Sequence, residues 1–167
     1  MTPDIPRRKR TLKRKALKRA KARPRVMGWR EMVSLPELGL GPLNAKADTG
    51  ALSAALHAEN IAVVSRDGRR LVAFDAYVDD ERAHTRRCEL PVHGVKRVRS
   101  SSGVVEERWT VETDIELSGE RWRALLTLTD RADMVTPLLL GRATLRGRFL
   151  VHPGRSFLLT HTAQGSP

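Results

Sequence analysis

Residues 46–58 read KADTGALSAALHA, a small and apolar run that holds a single carboxylate, Asp48, directly ahead of Thr49-Gly50. An ionised carboxylate is costly to desolvate without a partner. Taken alone, Asp-Thr-Gly reads as an ordinary turn that caps a strand. Its surroundings decide between that turn and a reactive group.

Those surroundings are strands. Residues 43–48 alternate in polarity up to the Asp, as do residues 28–36 before a Gly/Pro turn at 37–42. Residues 61–65 and 70–78 flank Asp67-Gly68, the dipeptide of a tight hairpin. Two further pairs are expected, 95–99 with 105–111 around Ser100 to Gly103, and 113–117 with 122–129 around Ser118-Gly119-Glu120. A short helix at 142–145 follows Leu138-Leu139-Leu140-Gly141, and a strand at 148–151 turns back in a hairpin to 157–159. Short strands at intervals of roughly ten residues, with turn residues between them, predict an all-β barrel or sandwich.

Within this frame Ala47-Asp48-Thr49-Gly50-Ala51 and Pro137-Leu138-Leu139-Leu140-Gly141-Arg142 stand out together. The first resembles the active-site loop of retropepsin-like aspartic proteases, and the second resembles their closing segment before a short helix. The likeness extends to a bacterial family of small retropepsin-like proteins, catalogued as ATP-dependent zinc proteases and linked to the RimK ribosomal-protein glutamate ligase. The residues that carry it are Leu35-Pro36-Glu37-Leu38-Gly39, Ala45 to Ala51, Ser53, Ala55-Leu56-His57-Ala58, Ser101-Ser102-Gly103, Leu126 to Arg131, and Leu139 to Arg142. Two positions depart from the family pattern. Leu52 and then Ser53 stand where a basic residue and Thr are usual, and Val151-His152-Pro153 stands where Val-Asp-Pro is usual.

The resemblance implies an all-β, retropepsin-like (acid-protease) closed barrel with one short helix, spanning residues 26–162 between a tail at 1–25 and a flexible end at 163–167. It further implies a homodimeric endopeptidase acting on a peptide or protein substrate. Asp48, Thr49 and Gly50 form the catalytic loop, and Ala51, Ser101, Ser102 and Gly103 meet the substrate. Gly141 and Arg142 are structural, with Arg142 in an ion pair near the dimer interface. The chemistry fits one carboxylate per subunit. Hydrolysing an amide without a metal needs both a base and an acid, and two carboxylates sharing one proton supply both. A buried Asp48 would then have a second Asp48 as its partner, from a twofold-related copy. Thr49 would hold the loop rigid through its hydroxyl, and Gly50 would admit the substrate backbone. The 97–108 hairpin is either a flap over the substrate or a plain polar turn.

No cofactor or metal is expected. The chain has no HExxH and no GxxxxGK[ST]. His84, Cys88 and His93 match no common zinc spacing, while His152 and His161 are scattered; His57, inside the family motif, is the first candidate should zinc bind. The sequence has 31 Lys/Arg and 19 Asp/Glu, of which residues 1–25 hold 12 basic and one acidic residue. The folded body is therefore nearly neutral and does not read as a nucleic-acid binder. The tail, disordered or helical, offers residues 7–25 as an arm for RNA, the ribosome or an acidic protein, or serves only solubility. A single cysteine, no apolar run near the ~20 residues of a membrane span and no secretory signal point to the cytoplasm. The rival reading, from another class, is an inactive module that binds peptide or ribosome through the cleft or the tail.

Overall fold

The structure, a computed structural model, describes residues 23–99, 103–130 and 135–160. The basic tail up to residue 22, Ser100 to Ser102, Arg131, His161 and the 163–167 end lie outside the described residues. In chain order the strands are β1 (Arg25–Gly28), β2 (Arg30–Leu35), β3 (Leu40–Asp48), β4 (Ala54–His57), β5 (Glu59–Arg66), β6 (Arg69–Tyr77), β7 (Thr85–Pro91), β8 (Gly94–Arg99), β9 (Val105–Leu117), β10 (Glu120–Thr129), β11 (Leu138–Gly141) and β12 (Phe149–His152). One α-helix, α1 (Arg142–Leu145), follows β11, and a 3-10 turn at Pro36–Leu38 joins β2 to β3.

The fold is all-β and retropepsin-like, but not one closed barrel. The main sheet runs β10-β4-β11-β3-β2-β9-β8, and a β9–β10 pairing closes six of its strands into a ring. The ring is thin between β2 and β9, where one pair, Ser34 and Glu116, joins them. Strands β5-β6-β7 form a separate sheet, and β1 with β12 a third. Leu43, Leu56, Ile115, Leu117, Leu126, Leu128, Leu138 and Leu140 fill the core.

Two hairpins form where the turn residues placed them. Asp67 and Gly68 take φ of 49° and 74°, and Ser118 and Gly119 take 48° and 78°, left-handed pairs suited to tight two-residue turns. Strand β9 is one strand where the sequence suggested two, because its alternation slips where Thr110 and Val111 are both buried. The N-terminal half of β9 pairs with β8 and the C-terminal half with β10. The expected C-terminal hairpin does not form. Strand β12 instead pairs in parallel with β1, and the chain beyond it is drawn onto β2.

The draw is Glu31, a fully buried carboxylate. Its Oε1 accepts the backbone amides of Gly28 (2.7 Å) and Leu159 (3.1 Å), and its Oε2 accepts the amide (3.0 Å) and hydroxyl (2.6 Å) of Thr160. The Phe157 amide donates to the Arg30 carbonyl beside it. Replacing Glu31 by Ala would strand several buried donors at once, and each unsatisfied group costs about 1–3 kcal/mol. We expect Glu31→Ala to lose about 3 kcal/mol or more in urea unfolding, and Glu31→Gln to lose less because its amide oxygen still accepts.

Candidate active site

Asp48 ends β3 and Gly141 ends β11, and the two strands run parallel with Leu138 opposite Ala45 and Gly141 opposite Asp48. Segments ninety residues apart in sequence are thus in register. Asp48 Oδ1 accepts the amides of Gly50 and Ala51, each at 3.1 Å. This is the self-capped turn that the tripeptide alone suggests. The next four carbonyls are fixed by the start of α1. Arg142 Nη1 donates to the Thr49 (2.8 Å) and Gly50 (2.9 Å) carbonyls, while the Arg142 and Ala143 amides donate to Ala51 (2.9 Å) and Leu52 (3.0 Å). Gly141 lets this happen. A Cβ there would stand 2.3 Å from the Ser53 carbonyl oxygen and 2.7 Å from that of Leu52.

In the single chain Asp48 is half-buried rather than buried, and Thr49 and Gly50 are exposed. With the tip of the loop exposed, Asp48 incurs only part of the cost of burial within one copy. Arg142 forms no ion pair among the described residues; its Nη1 donates to the Thr49 and Gly50 carbonyls. The Thr49 hydroxyl has no hydrogen-bond partner among the described residues, and the rigidity comes from the backbone and Arg142.

A cleft of about 540 Å³ opens beside Asp48, with Gly50, Ala51, Leu52 and Ser53 on one wall and Lys96, Arg97, Val98, Arg99 and Arg108 on another. The 97–108 hairpin therefore forms, and its strands reach the cleft. Ser101 and Ser102, assigned to substrate contact, lie outside the described residues; Gly103 is exposed and does not line the cleft. Asp48 is the only carboxylate among the described lining residues, against four cations. Only Arg108 of these has a carboxylate partner among the described residues, Glu106 at 2.8 Å. Sequence reasoning missed the cationic wall, although the run Lys96-Arg97-Val98-Arg99 on a predicted hairpin strand was its signal.

The donors that would hold zinc do not converge. Among the described residues no three His, Cys, Asp or Glu are grouped as metal ligands. His57 is buried in β4, with Nε2 3.2 Å from Glu59 Oε1 and its ring stacked on Tyr77. Burial also pushes the Cys88 thiol up from its ordinary pKa, away from the thiolate that binds metal. Among the described residues these donors form no zinc centre.

An all-β chain with an Asp-Thr-Gly loop locked in register against a Gly-Arg turn is a retropepsin-like protein. More particularly, the chain belongs to the RimB-like family, whose model, described as retropepsin-like aspartic endopeptidase RimB, matches residues 26–162. Relatives include a "probable alpha-L-glutamate ligase" of Shewanella halifaxensis, 35% identical over 135 residues, which are 80% of this chain and 30% of the relative. One of the same name from Parasynechococcus marenigrum is 38% identical over 135 residues, 80% of this chain and 29% of the relative. The chain thus spans under a third of the length of these relatives. The crystal structure of Lpg0085, a protein of unknown function from Legionella pneumophila, superposes with a TM-score of 0.67 at 29% identity, covering 81% of this chain and 98% of that one. No helix among the described residues is long and apolar enough to cross a membrane.

Proposed function

We propose that the protein is an aspartic endopeptidase assembled from two copies, with one Asp48 from each at a shared site. The observation that carries this reading is the state of the loop in one copy. Asp48 is held by Oδ1 while Oδ2 has no partner among the described residues, and Thr49 and Gly50 beside it are exposed. A lone carboxylate is half of the required machinery. With a second opposite it, like charges a few ångström apart do not both ionise. The ionised member takes a proton from water as the water attacks the scissile carbonyl carbon. The protonated member gives its proton to the carbonyl oxygen, forming a tetrahedral diol. The carboxyl that took the water proton then protonates the nitrogen, a diol hydroxyl returns its proton to the other carboxylate, and the C–N bond breaks to release the amine.

The surface around the tip supports a partner copy. A shallow groove adjoins the loop, with Leu145, Phe149, Leu150 and Val151 as its apolar lining and Arg142 and Arg146 as its cations. Val26 and Leu150, paired across β1 and β12, are about half exposed and continue its apolar character. The cationic cleft fits an extended, acidic peptide. That fits relatives named as glutamate ligases, and we extend the proposal to the ribosomal-protein modification that the family resemblance implies.

The test is incubation of the purified protein with a mixed peptide library, with and without EDTA. Carboxylate chemistry predicts cleavage that survives chelation, with products enriched in acidic sequences. Activity lost to EDTA and restored by zinc would reject the role of Asp48, and a protein that binds acidic peptides without cutting them would be the inactive module.

A further inference from the structure

Among the described residues strand β8 pairs only with β9, and the register sets Lys96 directly opposite Arg108. Directly opposed residues of an antiparallel pair share one face, and like charges there are destabilising. Both residues line the cleft. Arg108, only 8% exposed, turns Nε and Nη2 onto a single oxygen of Glu106, at 3.1 and 2.8 Å. Lys96 has no carboxylate partner among the described residues. Its ammonium rests on a neutral hydroxyl, Ser53 Oγ, at 3.0 Å. Ser53 lies just past the catalytic loop, so this bond ties the β8 arm to the loop across the cleft. Glu106 compensates Arg108, but Lys96 is left on a neutral hydroxyl, and a charge without a counter-charge inside the fold marks a place kept for something outside it.

We infer that Lys96 is a specificity residue that exchanges Ser53 for an acidic side chain of the bound peptide. The inference rests on the peptide-binding cleft of the proposed function and adds the residue that reads its charge. With no peptide bound, Ser53 holds the ammonium. A carboxylate seated between Lys96 and Arg108 relieves their repulsion and offers Lys96 a charge-assisted bond, which is stronger than one to a neutral hydroxyl. Lys96 then leaves Ser53, and the arm is tied to the loop through the substrate. Ser53 is therefore a competitor of the substrate for the same ammonium. Removing a competing bound state raises apparent affinity.

The experiment uses the full chain carrying Asp48→Asn, so that peptide is not consumed. Fluorescence anisotropy at fixed salt compares a labelled Glu-containing peptide with its Gln isostere. Adding Lys96→Met should weaken binding of the Glu peptide about tenfold and leave the Gln peptide unchanged. Adding Ser53→Ala should tighten the Glu peptide roughly two- to threefold. The control Arg69→Met, one exposed charge lost at the start of β6, should change either peptide by less than about twofold. Equal weakening of both peptides by Lys96→Met would make its role structural and overturn the inference. So would an effect no larger than that of Arg69→Met, or weaker Glu binding in Ser53→Ala. Hydrolysis is scored separately in the Asp48 protein. Lys96-dependent Glu binding without cleavage would reject the peptidase and keep the subsite, whereas cleavage indifferent to Lys96 would do the reverse.

Discussion

Asp48→Asn removes peptide hydrolysis by roughly 10³-fold or more, and its mixtures with wild type reveal how many carboxylates each site needs. Asn keeps the shape of the side chain. Its amide oxygen can still accept the Gly50 and Ala51 amides, so the loop should stay folded. What is lost is the ability to take a proton from water or to share one with a second carboxylate. Gel filtration should show the variant dimerising like wild type. Mixed in excess under conditions of subunit exchange, it forms heterodimers with a single carboxylate. Activity then falls with the square of the wild-type subunit fraction. A self-contained site in each copy gives a linear fall, which would reject the shared pair even if Asp48 proved essential. A binding module has no hydrolysis to lose.

Much of the fold was legible because turn chemistry is local. Asp67-Gly68 and Ser118-Gly119 demand left-handed backbone, and the strands on either side pair as read. Strands β1, β4, β7 and β11 were not read, and β4 and β7 show two opposite reasons. Strand β4 is Ala-Ala-Leu-His, buried at every position, so it shows neither alternation nor β-branched residues. Strand β7 buries only Cys88 and Leu90 among charged neighbours, and its pattern is too polar to stand out. The long-range contacts were illegible as well. Nothing in the spacing says that β12 pairs with β1, or that Glu31 gathers in Leu159 and Thr160.

The candidate site divides in the same way. The likeness to a known family brought out the Asp48 loop and the Gly141-Arg142 turn, and the structure sets them in register. The cationic wall was hidden because its meaning lies in pairing. Lys96 and Arg108 are ordinary charges in the sequence until a hairpin sets them face to face. The burial expected of Asp48 belongs to a pair of copies; in one copy the side chain is half-buried at the end of β3.

Gly141→Ala should be the most damaging single-methyl change near the site. Gly141 has φ of −76° and ψ of 168°, an extended conformation open to any residue, so backbone strain is not at issue. Space is. The added Cβ would meet the Ser53 carbonyl oxygen at 2.3 Å, its carbon at 2.5 Å and the Leu52 oxygen at 2.7 Å. All three are backbone atoms, which no rotamer change can move aside. Relief requires pushing residues 52–53 away from β11, which breaks the bonds from the Arg142 and Ala143 amides to the loop and shifts Asp48 with it. Overpacking of this kind costs about 1–3 kcal/mol, and each lost hydrogen bond adds about 1 kcal/mol. Catalysis should suffer beyond the stability loss, because a displacement of about 1 Å at a reacting group costs roughly 10²-fold. Gly119→Ala separates the two effects. Gly119 has φ of 78°, and nothing lies within 4 Å of the point its added methyl would occupy. That change costs about 1 kcal/mol of strain far from the loop and should leave hydrolysis intact. Urea midpoints and hydrolysis rates measured well below both transitions test the contrast. If Gly141→Ala lost no more activity than Gly119→Ala, the close approach of β11 to the loop would not be what positions Asp48.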